Sequence, residues 1–233
     1  MPVNFASLDL VALAVFFLGW SGYNLVFDRF LARRLGLNQN LKALRVHWMR
    51  RLIERENRIT DAALVGHTIH STSFLGSATL LLLAALVGML GNVETIWRVV
   101  SGLSFVAPTT KAVFEAKLFL LIAIFVFGFM KFTWALRQFN YLCAMIGSAP
   151  PTDAGPEKCA RAAEHMAMLL TLAVTSFNGG LRAYYFALAA LTWLAGPLFF
   201  IAATAAVVLV LLRRRFLSRT AETVIAEVAL LDA

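Results

Sequence analysis

Apolar residues in this chain are gathered into long blocks separated by shorter polar stretches. Blocks of roughly 20 apolar residues match the roughly 30 Å hydrocarbon core of a bilayer when wound as an α-helix. The pattern predicts four spans, at about 8–27, 62–90, 112–137 and 184–212. A shorter apolar run, 166–177, would cover only about 18 Å as a helix. With its polar lead-in it makes 161–178 a membrane-embedded or re-entrant fifth segment. The expected fold is an all-α, polytopic helical membrane protein forming one transmembrane domain over 1–233, with long cytoplasmic amphipathic helix extensions.

Two interruptions organise this pattern. Between the fifth segment and the last span stands Phe177-Asn178-Gly179-Gly180-Leu181-Arg182-Ala183-Tyr184-Tyr185. It sets an arginine beside a glycine pair, and glycine adopts backbone angles closed to other residues, so a helix break is expected at Asn178, Gly179 and Gly180. The other interruption, 28–61, holds nine lysines and arginines, Arg29, Arg33, Arg34 and Lys42 among them, against Asp28, Glu54, Glu56 and Asp61. Basic loops stay on the cytoplasmic side, which puts the N-terminus outside. Within this loop Leu41, Leu44, Met49, Leu52 and Ile53 recur at helical spacing. They predict an amphipathic helix, with Trp48 on another face, suited to the membrane surface, to a partner helix or to lying over the bundle.

Farther along, Lys111 and Glu115 form a candidate i, i+4 pair at the start of the third span. Its periodicity continues through Lys131, Trp134, Arg137, Asn140 and Tyr141 before Gly147 to Pro151 ends it. Counting lysines and arginines on each side favours five crossings, whereas segment length favours four.

Composition narrows the class. At 60% hydrophobic and 15% charged over 233 residues, the chain departs from soluble domains. A net charge of +8 in such a chain reports orientation and attraction to anionic membrane lipids, not nucleic acid. The expected location is the cell inner membrane. Cys143 and Cys159 form no Cys-x-x-Cys pair, so no zinc knuckle is expected.

The candidate chemistry is a polar layer near the inner interface. It comprises Arg58 and Asp61, His67 and His70, Arg137 and Asn140, and the interrupted stretch with Asn178, Gly179, Gly180, Arg182, Tyr184 and Tyr185. These would line a vestibule or bind an anionic solute or headgroup, arginine matching carboxylate and phosphate bidentately. The alternative is a structural network in which Asp61 or Glu164 neutralises an arginine. His67, His70 and His165 allow a haem or metal site, but their spacing is generic and no cofactor is expected. Phosphate-binding glycine loops, nucleophile elbows and zinc-protease motifs are absent, so nothing argues for an enzyme.

Lys131-Phe132 with Arg137 and Asn140, the earlier Arg58-x-x-Asp61, and Phe177-Asn178-x-Gly180-Leu181-Arg182-x-Tyr184-Tyr185-Phe186 together resemble the domain of unknown function 599 family. The resemblance implies an integral membrane protein and brings no assigned activity. The leading expectation is a homo-oligomeric channel or transport-type protein for an ion or small solute. The alternatives are an accessory subunit of another membrane complex and a haem- or quinone-linked redox protein.

Overall fold

The computed structural model describes residues 6–24, 36–104, 106–216 and 219–232. The described residues are helical, with no strands. Eight α-helices are described: α1 (Ser7–Asn24), α2 (Gly36–Glu54), α3 (Ile59–Gly91), α4 (Val93–Ser101), α5 (Lys111–Gly147), α6 (Pro156–Leu191), α7 (Pro197–Phe216) and α8 (Arg219–Asp232). Asp28, Arg29, Arg33 and Arg34, the first cations of the basic loop, lie outside the described residues, as does the end of the expected first span at 25–27.

Among the described residues three helices are long and apolar enough to cross a membrane: Ile59–Gly91, Lys111–Gly147 and, within α7, Pro197–Arg214. Of the four expected spans, 62–90, 112–137 and 184–212 each overlap one of these helices, whereas the described part of 8–27, α1, is not among them. The expected last span, 184–212, is not one helix. Its first residues close α6, a 3₁₀ turn at Thr192–Leu194 follows, and α7 begins at Pro197. Gly196 takes φ 154°, a region that favours glycine, and Pro197 opens the next helix with its φ already set.

The corresponding correction falls on the glycine pair. α6 runs unbroken through Asn178, Gly179 and Gly180 for 36 residues, about 54 Å at 1.5 Å per residue. Residues 161–178 are the first part of this helix and not a separate re-entrant one. The glycines serve close approach. A Cβ on Gly179 would stand 3.4 Å from Lys131 Cδ, and one on Gly128 would stand 3.3 Å from Ala183 Cβ and 3.8 Å from the Gly180 carbonyl oxygen. Small residues let membrane helices pack backbone to backbone, a role compatible with an intact helix.

The chain divides into two compact units. The first contains 1–30, 78–129 and 180–216. Its core is aromatic: Trp20 stacks on Phe186 at 5.4 Å, Trp193 on Phe200 at 5.1 Å, and Phe16 meets Trp20 and Phe186 edge-on. α1 packs along α7, and a Cβ on Gly19 would come within 3.3 Å of Thr204 Cγ2. Between α3 and α5 lies α4, whose Glu94 pairs with Lys111 at 2.8 Å, and Glu115 adds a weaker favourable charge interaction to the same lysine.

The second unit contains 31–77, 130–179 and 217–233. Here Met49, Leu52 and Ile53 of α2 are buried with Val65, Phe139, Leu142, Met166 and Leu170. The apolar face of α2 is thus spent within the chain, and α8 packs against the same helix.

Candidate functional site

In the second unit the junction of α2 and α3 is held by polar contacts. Asn57 caps α3, its Oδ1 accepting from the Ile59 N–H at 2.9 Å. One turn on, Asp61 is fully buried. Its Oδ1 accepts from Trp48 Nε1 at 2.7 Å and from Arg55 Nη1 at 2.6 Å. Asp61 therefore neutralises an arginine, but the arginine is Arg55. Arg58 instead reaches the Ile146 carbonyl, at 3.5 Å. Glu164 faces Arg50 at 3.9 Å.

The sequence stretches around Lys131 and Phe177 meet in the same unit. Phe132 and Phe177 have ring centroids 5.9 Å apart, and the Lys131 methylenes lie across Gly179. Next to them, Gln138 donates to Ser176 Oγ at 2.8 Å and to the Leu172 carbonyl at 3.2 Å, and accepts from Trp134 Nε1 at 3.3 Å. Arg137 donates to the Tyr141 hydroxyl at 2.8 Å. His67, His70, Asn140 and Asn178 are exposed in the single chain. Hydroxyls on α3 turn back to their own helix, Ser71 to the His67 carbonyl and Thr72 to that of Thr68.

The remaining expected residues fall in the first unit. Arg182 lies over the Tyr23 ring at 6.0 Å. Tyr184 shares a 2.8 Å hydrogen bond with Thr79, and Tyr185 accepts from Arg214 at 2.6 Å with the guanidinium above its ring. Gly180 is buried. His165 of α6 is exposed, and among the described residues no three or more of His, Cys, Asp and Glu gather as a metal site.

A second constellation in the first unit escaped the sequence pattern. Trp193, in the turn between α6 and α7, donates its indole N–H to Asp9 Oδ1 at 2.7 Å. Its carbonyl accepts from Lys117 Nζ at 2.9 Å, and the same ammonium lies 5.4 Å from the Trp193 ring centroid. Lys117 is only 3% exposed. The ammonium sits where α6 ends and Asp9 sits in the first turn of α1, each at the helix end whose dipole favours its charge. The available signal was a lone lysine heading an unbroken apolar run at 118–127.

A family model described as protein of unknown function, DUF599, matches residues 11–220. The chain belongs to this family. The match takes in α2, α3 and the Lys131 and Phe177 stretches that carried the resemblance, and begins two residues after Asp9. No curated protein and no solved structure matches the chain. Membership in DUF599 thus supplies a lineage without a reaction.

Proposed function

We propose that this family member is an integral membrane protein that assembles as a homo-oligomer and passes an ion or small solute, as a channel or transport-type protein. The observation that carries this reading is the set of ionisable side chains inside the first unit. Asp9 and Lys117 are buried in a mainly aromatic and aliphatic unit that also buries Thr79 and Thr204, and Arg182 is partly buried over the Tyr23 ring. An ionisable group in hydrocarbon costs about 3 kcal/mol by insertion scales, so membrane helices retain such groups where they serve a route or a site. Lys117 is held by a carbonyl and a ring, with no carboxylate at ion-pair distance among the described residues. Arg182 lines the route in this reading, and the exposed His67, His70 and Asn178 face water or a second copy. The inner membrane, an outside N-terminus and contact of the basic 28–61 segment with anionic lipid complete it.

An accessory subunit docking through α2 has less support, because the apolar face of that helix is already buried in its own unit. The test is flux of potassium, chloride and phosphate into liposomes holding the purified protein, compared with Arg182→Ala. The expected result is flux in the parent and its loss in the variant, with assembly retained on native mass spectrometry. Unchanged flux in Arg182→Ala removes the assigned role, and a fixed complex with other subunits favours the accessory reading.

A further inference from the structure

Within the second unit, α2 lies against the first part of α6 in antiparallel order. Arg45 Nη1 donates to Thr171 Oγ1 at 3.2 Å, and five residues on, Arg50 faces Glu164, seven residues back. The two arginines have opposite surroundings. Arg50 is half exposed and meets a carboxylate. Arg45 is partly buried, and its hydrogen-bond partner among the described residues is a neutral hydroxyl. Burial pulls its pKa below the ordinary value, with no acid nearby to restore it. α8 also packs on α2 and carries Glu222 and Glu227, yet neither pairs with Arg45 among the described residues.

The surroundings extend the pattern. Lys42 is exposed and lies three positions before Arg45, on the same face of α2. At the antiparallel pitch set by the Arg45 and Arg50 contacts it comes level with Thr175, four positions after Thr171 on α6. The Thr171 hydroxyl donates to the Ala167 carbonyl at 2.7 Å, which leaves its oxygen to accept from Arg45. A single neutral acceptor leaves most of a five-donor guanidinium fork unused. A partly desolvated cation in that condition is complementary to an anion.

We propose that Lys42 and Arg45, with Thr171 and Thr175 beside them, form a binding site for a phosphate-type oxyanion. The phosphate comes either as a free solute or as the headgroup of an anionic lipid. Arg45 supplies the bidentate fork and Lys42 a second charge one turn away. The site goes beyond the transport reading and is tested without a gradient, so failure of flux leaves it standing.

The experiment uses the full chain. Titration calorimetry with inorganic phosphate is run in detergent, and lipid retention is compared in nanodiscs of phosphatidylglycerol and of phosphatidylcholine. Phosphate binding identifies the solute source; selective retention of phosphatidylglycerol identifies the headgroup. Either is the expected result, with affinity falling about tenfold in Arg45→Gln and by a smaller factor in Arg45→Lys, which keeps the charge and loses the fork. Helical circular dichroism checks each fold. If Arg45→Gln does not fold, Lys42→Gln and Thr171→Val decide, each expected to weaken binding severalfold. The proposal is overturned if the parent binds neither probe, or if the folded variants bind as the parent does.

Discussion

Each unit of this protein ties a tryptophan indole to a buried aspartate at 2.7 Å, and the two ties are built differently. In the second unit, Asp61 receives the Trp48 indole and the Arg55 guanidinium on one oxygen, so its charge is compensated directly. In the first unit, Asp9 accepts from the Trp193 indole as its one side-chain donor among the described residues, while Lys117, near enough to feel the Asp9 charge, is held by the carbonyl and ring of that same tryptophan. Asp61 and Arg55 belong to an ordinary ion pair at the rim of a helical core. Asp9 and Lys117 are coupled through one residue, with Trp193 accepting from the cation and donating to the anion. The same hydrogen bond therefore serves as reinforcement in one unit and as the keystone of the arrangement in the other.

The sharpest way to break this comparison is to remove one charge from each side. Asp61→Ala leaves a partly buried indole N–H and Arg55 without their acceptor, and is expected to destabilise the second unit by about 2–4 kcal/mol, at the lower end because Arg55 is half exposed. Lys117→Met removes a desolvated ammonium but strands the Trp193 carbonyl, and the two effects leave an expected loss of about 1 kcal/mol, smaller than at Asp61. Hydrogen exchange in α2 and α3, against that in α1 and α5, separates the two effects. Equal losses at both sites would dissolve the distinction.

The tryptophans offer a finer test. Trp193→Phe leaves Asp9 without its indole donor, at a cost of about 2 kcal/mol, whereas Trp48→Phe leaves Asp61 paired to Arg55 and costs about 1 kcal/mol. Thermal unfolding in one detergent ranks them, and a larger loss in Trp48→Phe would reverse the assignment.

The smallest expected effects concern the glycines. Gly179→Ala meets only the flexible Lys131 stem and gains helix propensity, so it is neutral or stabilising by up to about 1 kcal/mol. Gly128→Ala presses on Ala183 and is mildly destabilising. The same melting curves check both, and a strong loss in Gly179→Ala would restore the idea of a special backbone at that point.

Much of the helical layout was legible because apolar blocks and helix punctuation are local properties. Pro150 and Pro151 after α5, and Pro156 opening α6, needed no knowledge of the fold. The error at Gly179 and Gly180 came from reading glycine by its backbone freedom alone. What decides its role is the neighbour on the next helix, here Lys131 and, for Gly128, Ala183. The sequence offers Asp61 or Glu164 as the neutraliser of an arginine without naming which, and the chain pairs Asp61 with Arg55. Trp48 was visible only as a face of an amphipathic helix. Asp9, Lys117 and Trp193 could not be associated at all, since nothing local relates residues separated by most of the chain.

That separation has a consequence for biosynthesis. Asp9 and Trp193 stand 184 positions apart, and at roughly 5–20 residues per second the ribosome needs about 10–40 seconds between making the one and making the other. α1 also packs against α7, which follows Trp193 in the chain. α1 must therefore wait, with an acidic group near its start, for α7. During that interval it is a candidate client for insertion chaperones and quality-control proteases, and a chain stopped short of Trp193 would present it to them unmated.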